Sequence, residues 1–193
     1  MAGRLDGRLI AFLVTDGFEQ VELTSPQAAL EGAGARTFIV SPRKIDTVRG
    51  WQHTEWGDDL KVDLPLALAR AEDFDALVLP GGVMSPDKLR RDERVHVFVR
   101  GFIDRNKPVA AICHGPWTLI DASVVAGRQV TSYPSIRTDL KNAGARWVDE
   151  EVVVDDGLIT SRSPDDLEAF NVTLVEEVAQ RSHVSGRRTD RDR

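Results

Sequence analysis

At 193 residues the chain has room for one domain with a full core and is short for two. Hydrophobic residues make up 41% and charged residues 29%, the balance of a soluble globular protein. No apolar run approaches the ~20 residues that cross a bilayer, and a formal charge of −6 argues against the basic surface a nucleic-acid partner needs.

A single cysteine excludes an internal disulfide and fits a reducing compartment. With no signal-like segment in MAGRLDGRL, the expectation is a cytoplasmic protein with no membrane or nucleic-acid partner.

Apolar runs of strand length alternate with amphipathic stretches of helix length. Leu9–Thr15 reads as a first strand, buried on both faces because it is continuously apolar. A helix follows, with Thr24 or Ser25 as its cap, Pro26 in its first turn and Gly32 or Gly34 at its end. Ala35–Ser41 is a second strand. Thr47–Val62, with Trp51 and Trp56, reads as an extended excursion or hairpin off the main sheet, its tryptophans either core or, as the few other apolar residues there favour, an exposed patch for oligomer contact. Phe74–Leu79 is a buried strand that ends at Pro80-Gly81-Gly82. Val95–Asn106 is a helix with Val95, Phe98, Val99, Phe102 and Ile103 on one face. Pro108–Cys113 is a strand, and Pro116–Ala122 begins another helix. Val130–Thr160 reads as short strands flanking a helix near Ile136–Ala143, and Asp165–Gln180 as a closing helix. From Arg181 onward five arginines and two aspartates with almost no apolar surface predict a disordered basic tail. The β-then-α order implies one domain over residues 1–180, a mostly parallel sheet with helices on both faces.

The chemistry concentrates at Cys113-His114-Gly115-Pro116, where a strand ends in small residues, the lone cysteine and a helix start. That is the pattern of a nucleophile elbow, and a helix N-terminus favours thiolate over thiol. A lone cysteine there is equally the pattern of an inert core residue. Three neighbours favour the elbow. The Gly81-Gly82 turn ends another strand at the same sheet edge, so backbone N–H groups of Gly82 and His114 can form an oxyanion hole, with Gly81, Gly115 and Tyr133 around the pocket. Glu19 follows the first strand and falls at the same carboxyl edge. His114 adjoins Cys113, though neighbouring side chains on an elbow diverge. The histidines show no metal-ligand spacing, so neither metal nor cofactor is expected.

DGFEQVEL at Asp16–Leu23, LVLPGG at Leu77–Gly82, AICHGP at Ala111–Pro116 and TSYP at Thr131–Pro134 together resemble the DJ-1/ThiJ/PfpI superfamily, closest to its PfpI-like bacterial branch of intracellular proteases and general stress proteins. The resemblance implies a flavodoxin-like three-layer sandwich, related to class I glutamine amidotransferases, with Cys113 as nucleophile and Glu19 as the carboxylic acid bonded to it. It also implies a homo-oligomer, dimer or larger, in which an acidic residue of a neighbouring subunit holds His114. Asp87 matches that acid, but as an aspartate in a longer loop where the prototype has glutamate. The implied substrates are peptides, glycated proteins or small carbonyl compounds. A non-enzymatic stress protein acting through oxidation of Cys113 needs the same thiolate. An amidotransferase needs a downstream histidine, and residues 115–182 contain none.

Overall fold

The computed structural model describes residues 3–43 and 46–189, with side chains as far as Arg181. Strand β1 (Leu9–Leu13) and a two-residue strand β2 (Phe18–Glu19) precede helix α1 (Val21–Gly32). Strand β3 (Arg36–Ser41), the hairpin β4 (Thr47–Gln52) and β5 (Glu55–Lys61), and the short β6 (Leu64–Pro65) follow. Strand β7 (Ala76–Leu79) leads to α2 (Met84–Leu89) and α3 (Glu93–Ile103), and β8 (Val109–Ile112) to α4 (Pro116–Asp121). Strand β9 (Gln129–Val130), α5 (Arg137–Asn142) and β10 (Arg146–Trp147) form a small annex. Strands β11 (Val152–Asp155) and β12 (Leu158–Ser161) and helix α6 (Leu167–Thr189) complete the fold.

Seven strands form one sheet in the order β11-β12-β8-β7-β1-β3-β6, parallel except for β11. Alternation along the buried strands splits the core in two. Ala11, Leu13, Leu77, Leu79, Val109 and Ala111 face one layer, with Val95, Phe98, Val99 and Phe102 of α3 and Leu119 of α4. Ile10, Phe12, Ala76, Val78, Ala110 and Ile112 face the other, with Leu23 and Leu30 of α1 and Phe170, Leu174 and Val178 of α6. Helices on both faces are what two-sided apolar strands require.

From β1 the chain moves to β3 on one side, then returns to lay β7 on the other. The connections leaving the carboxyl ends of β1, β7 and β8 therefore meet at a topological switch point, where open α/β sheets hold their ligands.

Two expectations change. Helix α1 begins at Val21, three residues before the expected Thr24 cap, so Pro26 lies inside it. Its first turn is anchored by tertiary contacts instead of a capping side chain: Gln20 reaches the hairpin, donating Nε2–H to Asp58 Oδ2 at 2.7 Å and accepting the Asp58 N–H at 2.7 Å. Helix α6 runs to Thr189, past the Arg181 boundary drawn for a disordered tail. Arg181 itself pairs with Asp156 at 2.9 Å and Glu177 at 3.4 Å. Residues 190–193 lie outside the described residues.

Candidate active site

Cys113 leaves β8 with φ +61°, a left-handed backbone that is uncommon for a residue with a side chain. Its N–H donates to Ser161 O at 3.1 Å, and the Gly115 N–H closes the turn on Ile112 O at 2.8 Å. Gly81 and Gly115, expected around the pocket, are buried beneath the elbow instead. A Cβ on Gly115 would stand 2.4 Å from Leu79 O, and one on Gly81 would stand 2.6 Å from both Cys113 Cβ and Glu22 Oε2. Only hydrogen fits where the turns after β7 and β8 touch.

The carboxyl beside the sulfur belongs to Glu22, not Glu19. Phe18–Glu19 is held extended by pairing with Gly50 and Trp51 of β4, which sets Glu19 in the cavity wall. Because α1 starts at Val21, Glu22 falls on its buried face together with Leu23, Pro26 and Leu30. Its side chain is fully buried and shares a hydrogen bond with the Cys113 thiol. Oε2 accepts the Gly81 N–H at 2.8 Å, and Oε1 has no nitrogen or oxygen partner. One N–H is a poor substitute for water around a carboxylate. Burial accordingly pushes Glu22 up to about 8; the Gly81 N–H opposes this, and the nearby charge of Glu19 adds to it. Glu22 thus keeps its proton near neutrality.

Burial and the Glu22 carboxylate push the Cys113 thiol up, while the N–H groups of Gly82 and His114 pull it down. Those are the two N–H groups expected for the oxyanion hole, and both point at the sulfur. The low thiol pKa expected from a helix terminus is not what this environment gives. Helix α4 has six residues, too few for a strong dipole, and Cys113 is only 7% exposed. Cys113 and Glu22 form a coupled pair, and a thiolate arises most readily while Glu22 holds the remaining proton.

His114 reaches the sulfur after all, its Nδ1 3.2 Å from Sγ, because the left-handed turn swings the next residue round. Its Nε2 lies 3.0 Å from Ser135 Oγ. Tyr133 stacks on the ring at 4.8 Å and Trp117 meets it edge-on at 5.3 Å. Burial lowers its pKa, so the imidazole is neutral at pH 7. Asp87 stands exposed on α2, outside the cavity wall, and within one chain Ser135 occupies the place beside His114.

The sulfur opens into a cavity of about 620 Å³ whose wall includes Glu19, Trp51, His53, Gly82, Met84 and Tyr133. Trp51, expected on an oligomer patch, is thus partly a cavity residue, with Trp56 edge-on to it at 5.3 Å and 44% exposed. Among the described residues no cluster of three or more His, Cys, Asp or Glu can hold a metal ion, and no helix is long and apolar enough to cross a membrane.

A parallel α/β sandwich with a cysteine on a strand-to-helix elbow, between a buried carboxyl and two convergent N–H groups, defines a cysteine-elbow protein of the flavodoxin-like class. The model of the DJ-1/PfpI family matches residues 8–177, and the chain belongs to that family. It is 49% identical over 162 residues to the Bacillus subtilis protein named "Putative cysteine protease YraA", covering 84% of this chain and 93% of that one. It is 47% identical over 166 residues to General stress protein 18 of the same organism, covering 86% and 94%. Among solved structures, Drosophila melanogaster DJ-1beta superposes with a TM-score of 0.81 at 29% identity, covering 93% of this chain and 91% of that one. A two-domain Anabaena variabilis protein with DJ-1/ThiJ/PfpI-like and ferritin-like domains superposes at 0.83 with 36% identity, covering 89% of this chain and 48% of that one.

Glu22 and Ser135 are the residues that sequence reasoning missed. A glutamate on the apolar stripe of α1, four residues before Pro26 and eight before Leu30, was the available signal for Glu22. Ser135 carried no signal, since nothing in the sequence brings it to His114.

Proposed function

We propose that this chain is a cysteine-dependent enzyme acting on small carbonyl compounds, of the glyoxalase or deglycase kind. The observation that carries this reading is the convergence on one sulfur of a protonated carboxyl, a neutral imidazole and two N–H groups. With an α-oxoaldehyde, the Cys113 thiolate adds to the aldehyde carbon and the new oxyanion takes up the N–H groups of Gly82 and His114. The neutral His114 imidazole, beside the sulfur, then moves a proton from that carbon to the adjacent ketone carbon, leaving a 2-hydroxy thioester. Water releases the 2-hydroxy acid and restores the thiol.

A peptidase needs an imidazole that can take on charge to protonate a leaving amine. Here His114 is buried with Nε2 on a serine hydroxyl and with no carboxylate bonded to it among the described residues, which favours the small carbonyl. Asp87 would serve a peptidase only from a neighbouring subunit.

Turnover of methylglyoxal and of a peptide, measured side by side on wild type and Cys113→Ser, tests the reading. Methylglyoxal consumption that vanishes in the variant supports it, and equal consumption by both proteins overturns it. Stoichiometric oxidation of Cys113 by peroxide without turnover of either substrate would instead favour the redox role.

A further inference from the structure

The cavity above Cys113 holds a second carboxylate that the carbonyl chemistry does not use. Glu19 is half-buried in its wall and makes no side-chain hydrogen bond or ion pair among the described residues. This contrasts with Asp16, three residues earlier, which bonds Arg43 at 3.0 Å and the Arg49 N–H at 2.9 Å. Strand pairing fixes Glu19 beside Trp51, its register partner in β4. His53 and Tyr133 extend the ring surface around the same space. No lysine or arginine lines the cavity among the described residues; His53 shares its wall, and Glu22 and His114 at its floor are neutral near pH 7. The cavity therefore presents a carboxyl group without an ion-pair partner among the described residues, beside aromatic faces. A partly desolvated carboxylate next to π faces attracts a cation and repels an anion.

We propose that Glu19 and Trp51 form a cation subsite, so that the preferred substrate carries an ammonium or guanidinium group alongside the carbonyl that meets Cys113. This makes Glu19 a specificity residue, in place of the sulfur-bonding role that Glu22 fills. The proposal rests on the carbonyl reading for its substrate, but the subsite itself can be tested separately.

Three arylglyoxals serve as probes: phenylglyoxal and its para-trimethylammonium and para-carboxylate derivatives. Wild type should favour the cation over the neutral compound by about ten-fold in kcat/KM, and the neutral over the anion, as a desolvated cation–π and ionic contact implies. In Glu19→Gln the cation-to-neutral ratio should fall towards one, and in Trp51→Leu it should fall part of the way. A wild-type ratio near one, or a ratio unchanged in Glu19→Gln, overturns the subsite. The second arm titrates benzyltrimethylammonium, which has no carbonyl, into Cys113→Ser by calorimetry, with Glu19→Gln added as the comparison. Glu19-dependent binding without turnover of any arylglyoxal leaves the subsite standing and sinks the carbonyl reading. Turnover without charge preference and without binding does the reverse.

Discussion

The connection from β8 to α4 takes three residues, Cys113 to Gly115, whereas that from β1 to α1 takes seven, Val14 to Gln20, with a strand of its own inside it. Both deliver reactive groups to one crevice, but by different physics. In the short connection the covalent chain leaves few arrangements: a strand end, one left-handed residue, a glycine without room for a Cβ and a proline at the helix start. In the long one, the residue that faces the sulfur is decided by remote contacts. Phe18 and Glu19 are pulled straight by β4, Gln20 is tied to Asp58, and only then does the helix begin and turn Glu22 inward. A short connection fixes its side chain locally, while a long one borrows its geometry from the rest of the fold.

The sharpest way to break this contrast is to exchange the roles of the two glutamates. Glu22→Leu should slow alkylation of Cys113 at pH 7 by roughly 10- to 100-fold, the loss expected for a hydrogen bond to a charged group. Glu22→Gln, which keeps a donor, should lose less, and Glu19→Leu should stay close to wild type. Iodoacetamide kinetics would read all three. Alkylation of Glu22→Leu faster than wild type would mean that the carboxyl only repels the thiolate, and an equal rate that it does not act on the sulfur.

The short connection is tested through its glycine. Gly115→Ala should cost about 2–3 kcal/mol by urea unfolding, since the added methyl meets a backbone carbonyl that cannot yield. Gly32→Ala in α1, where a Cβ would meet nothing, should cost none of this. Equal losses would show that the elbow is looser than it stands here.

A gentler effect follows from the raised Glu22 pKa. Between its ordinary 4.5 and about 8 the folded state keeps a proton that the unfolded chain releases, so stability conferred at low pH is lost as pH rises through that window. Relative to Glu22→Gln, which cannot titrate, the wild-type melting temperature should therefore fall from pH 5 to pH 8. A difference that is flat with pH would mean that the carboxyl is not held protonated. The smallest effect belongs to Ser135→Ala. Removing one hydrogen bond to a neutral ring should lower methylglyoxal kcat only a few-fold, corresponding to ~1 kcal/mol. A loss as deep as that of Cys113→Ser would make Ser135 part of the chemistry instead of a positioning residue.

Much of this architecture is legible in the sequence. Unbroken apolar runs such as LIAFL and VAAI marked two-sided parallel strands, and the face Val95, Phe98, Val99 and Phe102 marked α3. The elbow, the Gly82 and His114 N–H groups and the Thr47–Val62 hairpin were legible for the same reason, since each is set by residues close in sequence. The start of α1 was not. Thr24 and Pro26 are good local signals for a helix N-terminus, and tertiary anchoring through Gln20 moved the cap from Thr24 to Gln20. The earlier start brings Glu22 into the helix on its buried face, where the sequence had offered Glu19 at the carboxyl edge of the first strand. The contact between His114 and Ser135 crosses from the elbow to a loop 21 residues on, and no periodicity could announce it.

The left-handed backbone at Cys113 has a bearing on how the chain could change over time. At φ +61° a glycine would sit without the steric penalty of a Cβ, a relief of roughly 1 kcal/mol. The same replacement would empty the coupled pair and leave Glu22 without its sulfur partner. A lineage judged only on how much folded protein it accumulates would thus drift towards glycine at this position and fall chemically silent. The reactive atom occupies a place where the polypeptide, left to its own thermodynamics, would sooner have no side chain at all.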